Sequence, residues 1–304
     1  MEQNLIDAYQ YARKWQGIGT SATFIPELTK EDPNQLGICI TTCAGEQFKV
    51  GDWNAMFTIQ SISKLLLLAV ALDESGFDSV FSKVGMEPSG DRFNSVYKLE
   101  LFDAHPSNPM INAGAIAVAS CIKGKSVSER AEKVFRIAEK CFGVTTLDRS
   151  DAVYQCETET GHRNQALAQM MMDAHIIDGD SSGHLAVYYH ACSIMANCCM
   201  LSHFGAVLAN NGRLPGNSEQ IMPEQTARML RTFMASCGMY NLAGEFAIRV
   251  GVPAKSGSAG GIMAAVHEKL GLATFSPLLD SKGNSICGIK ALEKISSQMN
   301  LCVY

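Results

Sequence analysis

The chain has 304 residues, of which 47% are hydrophobic and 18% are charged, and its formal net charge is −5. This apolar content is enough for one large core or two smaller lobes. Charges of both signs are scattered along the chain and form no basic stripe, which argues against a nucleic-acid partner.

The N-terminal stretch "MEQNLIDAYQ" is acidic and has no apolar signal core, and the longest apolar run, residues 65–72, is too short to cross a bilayer. We therefore expect a cytoplasmic protein with no membrane partner. The 11 cysteines are an odd number and include no C-x-x-C pair, so we expect reduced thiols. Neither the cysteines nor the histidines have the spacing of a metal site, and we expect no metal.

The first predicted elements are a helix over residues 4–15 and two strands around a turn at Ala44-Gly45. Six helical segments follow, at residues 65–72, 112–123, 126–143, 164–177, 183–198 and 223–236. The third of them opens with a capping box, Ser126 to Glu129, and stops at Gly143, while the last has Pro223 at its first helical position. Paired strands at 260–267 and 270–276 and a closing helix at 283–299 complete the chain.

Strands therefore lie near both ends of the chain, and helices fill its middle. The simplest assembly is an α/β (α+β) fold in which a mostly antiparallel sheet, built from both termini, is covered by helices and joined by a helical subdomain. We predict one domain over residues 1–304. Residues 1–60 and 200–304 would form the lobe that contains the sheet, and residues 61–199 the mainly helical lobe. A cleft between two such lobes is a usual place for a small-molecule site.

Ser61 and Lys64, in "FTIQSISK", are one helical turn apart, so their side chains share a face. A serine hydroxyl is a weak nucleophile until a base takes its proton, and a lysine can be that base when burial or nearby positive charge lowers its pKa. The alternative is a simple helix cap. Spacing alone favours the cap, because Ser120 and Lys123 have the same spacing without any other sign of chemistry.

The stretch "VPAKSGSAGGI" contains a K-[ST]-G element, Lys255-Ser256-Gly257, directly before a predicted strand. In penicillin-recognising serine enzymes, an S-x-x-K element and a later K-[ST]-G element flank one active site. Gly257 would let the backbone approach a substrate closely, although it could also be a plain turn glycine.

Two more segments carry polar residues at predicted helix entrances. Asn108 and Asn112 lie in "HPSNPMINAGAIA", and Glu157, Arg163 and Asn164 lie in "CETETGHRNQALA". Their ordinary roles would be turn formation and complementing a helix dipole. Taken in order with "FTIQSISK", "YHACSI", "ASCGMY" and "VPAKSGSAGGI", however, these segments resemble the serine-dependent glutaminase family from about residue 24 to the C-terminus.

The resemblance implies a β-lactamase-like fold, also found in penicillin-binding proteins, and a hydrolase that converts L-glutamine to L-glutamate and ammonia. Ser61 matches the family nucleophile, which forms an acyl-enzyme, and Lys64 matches its general base. No cofactor is implied, and the family suggests a homodimer or homotetramer.

The resemblance also assigns the remaining site residues. Tyr188 and Tyr240 match two active-site tyrosines, and Ser258 matches the position whose backbone N–H joins that of Ser61 in the oxyanion hole. The residues implied to hold the amino acid end of glutamine are Asn112, Glu157 and Asn164, and those in supporting positions are Lys255, Gly257 and Phe24.

Two positions depart from the family pattern. Ser258 replaces the usual valine, and we expect little loss because the contribution there is made by the main chain. Phe24 stands where many members have tyrosine, which removes one hydroxyl near the substrate without changing the reaction.

Two alternatives remain open on the residues alone. A penicillin-recognising enzyme would share the architecture, but the chain has no export signal and no S-D-N or Y-x-N element. A non-enzymatic binding module would keep the pocket without turnover, and only Phe24 favours it.

Overall fold

The computed structural model describes residues 1–90, 95–101 and 103–304. Its main sheet has five strands in the order β2-β1-β7-β6-β5, and every neighbouring pair is antiparallel, which confirms the predicted sheet. The strands are β1 (Gly37–Thr42), β2 (Gln47–Gly51), β5 (Ala254–Ser256), β6 (Gly261–Val266) and β7 (Leu270–Phe275). A separate two-stranded ladder joins β3 (Phe57–Thr58) to β4 (Met195–Ala196).

Helices supply most of the remaining regular structure within these described ranges. They are α1 (Glu2–Ala12), α2 (Ser63–Phe81), α3 (Tyr97–Leu101), α4 (Asn112–Ser120), α5 (Val127–Phe142), α6 (Asp151–Thr160), α7 (His162–Asp173), α8 (Ser181–Cys192), α9 (Cys198–Ala209), α10 (Glu224–Cys237), α11 (Ala243–Arg249) and α12 (Ile286–Met299). No helix in the described part of the chain is long and apolar enough to span a membrane.

The main sheet is covered on both faces. Side chains alternate between the faces of a strand, so in β1 Ile38 and Ile40 contact one apolar core and Cys39 contacts the other. The first core includes buried residues of α1, α11 and α12, and the second includes those of α2, α4, α8 and α9. Because both faces are covered, every residue of the central strands is buried, and these strands show no alternation of buried and exposed residues.

Helix α9 packs directly on the sheet because two glycines remove the side chains between them. A Cβ atom at Gly271 would lie 2.1 Å from the backbone nitrogen of Ala206, and one at Gly205 would lie 2.4 Å from the carbonyl oxygen of Ala264. Both distances are shorter than any van der Waals contact, so only glycine fits at either position.

The short β3–β4 ladder corrects one sequence prediction. Residues 183–198 were predicted as a single helix, but α8 ends at Cys192 and Met195 pairs with Thr58. The ring of Phe57 stacks on that of Phe275 at 4.0 Å, which anchors β3 to the end of β7. This tertiary pairing overrides the local helical pattern and fixes the segment that leads to Ser61.

The helix ends agree in part with the predictions. The side chain of Ser126 accepts a hydrogen bond from the Glu129 N–H, and Gly143 ends α5 in a left-handed conformation, as predicted. The Glu129 carboxylate, however, accepts from the N–H of Lys125 and not from that of Ser126. Pro223 precedes the first helical residue of α10 instead of occupying it. The division into two lobes at residues 60/61 and 199/200 stays a prediction.

Candidate active site

Segments from distant parts of the chain line one cleft. Eight residues named from the sequence line it together: Phe24, Ser61, Asn112, Glu157, Asn164, Tyr188, Tyr240 and Ser258. The other three, Lys64, Lys255 and Gly257, are buried behind this lining. The structure thus brings together side chains separated by more than two hundred residues of sequence.

Ser61 lies in a 3₁₀ turn between β3 and α2. The preceding Gln60 has a φ of 49°, a left-handed conformation that is strained for any residue other than glycine. Backbone strain of this kind is typical of functional sites. The N-cap of α2 is Ile62, and no side chain in the described part of the chain caps this helix. The helix-cap interpretation of Ser61 is therefore wrong.

Lys64 is buried, with only 1% of its surface exposed, in the first turn of α2. Its Nζ lies 2.8 Å from the Oγ of Ser61 and 2.8 Å from the Oδ1 of Asn112. Burial disfavours the charged form of an amine, and it lowers the pKa of Lys64 to about 8. A substantial fraction of this amine is therefore neutral in mildly alkaline solution, where it can accept the Ser61 proton.

Asn112 connects the lysine to the other side of the cleft. Its Oδ1 also accepts a hydrogen bond from the Tyr188 hydroxyl at 3.3 Å, and its Nδ2 donates to the Oδ1 of Asn164 at 2.9 Å. This pattern fixes the orientation of the Asn112 amide, because the oxygen must face Lys64 and the nitrogen must face Asn164.

Lys255 and Tyr240 form the wall behind Ser61. The Nζ of Lys255 donates to the carbonyl oxygen of Ser256 at 2.7 Å and lies 4.0 Å from the centre of the Tyr240 ring. Burial lowers the pKa of Lys255 well below its ordinary value, and the charge of Lys64 lowers it further. Tyr240 shares a hydrogen bond with Ser61, while burial raises the pKa of its phenol.

The turn after β5 approaches the Ser61 turn closely. A Cβ atom at Gly257 would lie 2.5 Å from the carbonyl oxygen of Ile59, so this glycine permits backbone contact between the two turns. The Ser258 hydroxyl donates to the Oε1 of Gln60 at 3.4 Å. A valine at this position could not make that bond.

Glu157 lies in the last turns of α6, not at a helix entrance as predicted, because α6 continues to Thr160 and α7 begins only at His162. A negative charge near a helix C-terminus is unfavourable, so a dipole-complementing role is excluded. The Oε2 atom of Glu157 is buried and has no hydrogen-bond partner among the described residues. Burial raises the pKa of this carboxyl to about 8, and the charge of Lys64 opposes the rise.

The ordinary interpretation holds for two other positions. Asn108 accepts a bond from the N–H of Met110 and donates to the carbonyl of Glu87, which is a turn-stabilising role. The hydroxyl of Ser120 donates to the carbonyl oxygen of Ala117, and Lys123 donates to Glu74, so the second S-x-x-K element forms no site.

Three residues of this region were assigned no function in the site from the sequence. Arg163 lines the cleft and adds a positive charge beside Asn164. Gly161 separates α6 from α7, and a Cβ atom there would lie 2.2 Å from the hydroxyl of Tyr189. Only the position of Arg163 next to Asn164 could have indicated its role from the sequence.

Within residues 1–90, 95–101 and 103–304, no group of three or more histidine, cysteine, aspartate or glutamate side chains is arranged to hold a metal ion.

Comparison with known proteins gives a consistent result. The sequence model of the family "Glutaminase" matches residues 19–304. A glutaminase of Clostridium botulinum is 45% identical over 293 residues, which are 96% of each chain. Among solved structures, a probable glutaminase is 34% identical with a TM-score of 0.95, and it covers 100% of this chain and 97% of its own. A Bacillus subtilis glutaminase, solved as a covalent complex with 5-oxo-L-norleucine, is 34% identical with a TM-score of 0.91, covering 100% and 99%.

The burial of Glu157 predicts how its replacement changes stability. Its pKa is about 8 in the folded chain and 4.5 in a model peptide, so the free energy of unfolding falls as pH rises through this window. Glu157→Gln removes that loss. The free energy of unfolding of the variant minus that of the wild type, measured by urea unfolding, should be larger at pH 9 than at pH 5 by on the order of 3 kcal/mol.

Glu159→Gln, an exposed change on the same helix, is the matched control and should show no such dependence on pH. A stability difference for Glu157→Gln that is the same at both pH values would show that the carboxyl is not held neutral by burial.

Proposed function

The chain belongs to the glutaminase family, and on that premise we propose that its cleft hydrolyses the side-chain amide of L-glutamine through an acyl-enzyme on Ser61. Its architecture is the β-lactamase-like fold. The observation that carries the proposed mechanism is the 2.8 Å contact between the Lys64 Nζ and the Ser61 Oγ in a buried setting. The covalent complex of the Bacillus subtilis relative supports a covalent route in this chain as well.

Substrate recognition requires groups for an α-ammonium and an α-carboxylate. The buried Oε2 of Glu157, which has no hydrogen-bond partner in the described part of the chain, suits the ammonium, since a buried carboxylate oxygen without a partner gains most from a positive charge. Asn164 and Arg163, which line the same cleft, suit the carboxylate. Asn112 contributes by holding both Asn164 and Lys64 in place.

Acylation begins when neutral Lys64 takes the proton of Ser61. The Ser61 oxygen forms a bond to the amide carbon, and the carbonyl electrons move onto its oxygen. We assign the resulting oxyanion to the backbone N–H groups of Ser61 and Ser258, whose turns meet at Gly257. Such donors stabilise the charge where it develops, because the protein orients them before the reaction.

The intermediate collapses when the carbon–nitrogen bond breaks and the leaving nitrogen takes a proton from Lys64, so that ammonia departs. Tyr188 and Tyr240 lie on either side, with the Lys64 Nζ 5.7 and 5.6 Å from their ring centres, and Tyr188 can assist this transfer. Water then attacks the ester carbon, Lys64 takes its proton, and Ser61 regains a hydrogen as glutamate leaves. Each proton that Lys64 accepts is returned in the same half-reaction.

The alternatives are less well supported. Relatives that match nearly the whole chain are glutaminases, which favours amide hydrolysis over penicillin recognition. The Ser61–Lys64 contact favours turnover over a binding module. Phe24 lines the cleft with 53% of its surface exposed, and it stays a prediction that phenylalanine at this position leaves the reaction unchanged. The cytoplasmic location and the homodimer or homotetramer also stay predictions.

Replacement of the nucleophile is the first test. Ser61→Ala should lower kcat for ammonia release by about 10⁴-fold or more, because no attacking oxygen remains, while calorimetry still detects glutamate binding. Ser120→Ala, at the second S-x-x-K element, should keep wild-type activity. Ammonia release near the wild-type rate by Ser61→Ala would exclude the acyl-enzyme.

The pH dependence of kcat/KM is the second test. Lys64 must lose a proton to act as a base, and Glu157 must lose a proton to bind an ammonium group. Burial brings the pKa values of both groups to about 8 in the free site. The rate constant should therefore rise with pH through this region, and the logarithmic plot should approach a slope of two on its acid side.

Glu157→Gln separates the two protons. Its kcat/KM for glutamine should be lower, and its acid limb should have a slope of one, since only Lys64 still titrates. A wild-type plot that is flat between mildly acidic and alkaline pH would exclude Lys64 as the base, and an unchanged slope in Glu157→Gln would exclude the role of Glu157.

A further inference from the structure

Two thiols that do not line the cleft lie in contact across the packing of α9 on β1. The Sγ atoms of Cys39 and Cys199 are 3.3 Å apart, and the thiol of Cys39 donates its hydrogen to the sulfur of Cys199. The residues are separated by 160 positions in the sequence, so this contact is created by the tertiary fold.

The two thiols differ in accessibility. Cys39 is completely buried, while Cys199 is half-buried. The hydrogen bond from Cys39 lowers the pKa of the Cys199 thiol, and the charge of Lys49 adds to this effect. A thiol that attacks an oxidant must ionise readily to the thiolate and must be accessible to the oxidant. Cys199 meets both requirements, and the buried Cys39 meets neither.

The surrounding packing can hold a covalent link. A disulfide needs its sulfurs about 2.05 Å apart, so the present contact must shorten by little more than about 1 Å. Strand β1 and helix α9 are already joined beside the thiols by a hydrogen bond of 2.7 Å between the hydroxyls of Thr41 and Ser202. Neither element therefore has to leave its place on the other.

We propose that Cys39 and Cys199 form a redox site in which Cys199 is the attacking thiol and Cys39 the resolving thiol, and that hydrogen peroxide converts the pair to a disulfide. The proposal is independent of the amide chemistry in the cleft, because neither cysteine lines that cleft.

The reaction balances in two steps. The Cys199 thiolate attacks one oxygen of the peroxide, a sulfur–oxygen bond forms, the oxygen–oxygen bond breaks, and the leaving hydroxide takes a proton to become water. Cys39 then attacks the sulfur of the sulfenic acid, the sulfur–oxygen bond breaks, and a second water leaves with the Cys39 proton. Two thiols lose two electrons, and one peroxide is reduced to two waters.

To test this, the reduced 304-residue chain is treated with increasing hydrogen peroxide, and the remaining thiols are blocked by alkylation under denaturing conditions. The unreduced peptides are then mapped by mass spectrometry. We expect two of the 11 thiols to become resistant to alkylation first and in parallel. A cross-linked peptide pair that contains Cys39 and Cys199 should appear at the same time, and dithiothreitol should separate it into its two peptides.

Variants identify the order of events. In Cys39→Ser, oxidation should stop at a sulfenic acid on Cys199, which dimedone traps in greater yield than in the wild type. Cys43→Ser, which removes another half-buried thiol just after β1, should leave the cross-link unchanged.

Three outcomes of wild-type mapping would each overturn the proposal, whether or not the variants fold. One is a Cys39 that stays fully alkylatable while Cys199 is consumed. Another is a cross-link from Cys199 to Cys198 or Cys43. The third is the loss of other thiols before this pair.

Discussion

The chemistry of this protein depends on keeping the amine of Lys64 out of water. An exposed lysine is charged at neutral pH and cannot accept the proton of a serine. Here α2 begins inside the protein, so its first turn and its lysine are surrounded by buried residues, and desolvation lowers the pKa of Lys64 to about 8. The Oδ1 of Asn112 and the Oγ of Ser61 give the nitrogen two fixed partners, which aim it at the nucleophile.

The fold supplies this environment by bringing two turns together at one end of the sheet. Stacking of Phe57 on Phe275 holds the start of the Ser61 turn, and the missing side chain of Gly257 lets the β5–β6 turn reach it. The same closeness places Lys255 near Lys64, so that the charge of Lys64 adds to burial in lowering the pKa of Lys255. Strained backbone at Gln60 destabilises the fold, and so does the buried Oε2 of Glu157, which has no hydrogen-bond partner among the residues that the structure describes. Such features are usually kept for function.

Much of the site could be predicted from the sequence, because Ser61 and Lys64 belong to one helical turn and the other residues lie in ordered family motifs. The placement of Glu157 failed because one residue, Gly161, separates two helices, and no periodicity marks so short a break. The strand at Met195 was missed since two residues carry no pattern of their own and depend on the partner strand. The contact between Tyr189 and Gly161 arises only from packing, which local sequence does not encode.

The most direct test of this account is the protonation state of Lys64 itself. In the wild type with ¹³C-labelled lysine side chains, the Lys64 signal can be assigned by its absence from Lys64→Gln and followed by NMR as pH rises. We expect the titration of the Lys64 amine to have its midpoint at about pH 8, well below the midpoint for exposed lysines. A midpoint near the ordinary value of 10.5 would contradict it, because the amine would then be charged throughout the range in which it is proposed to act as a base.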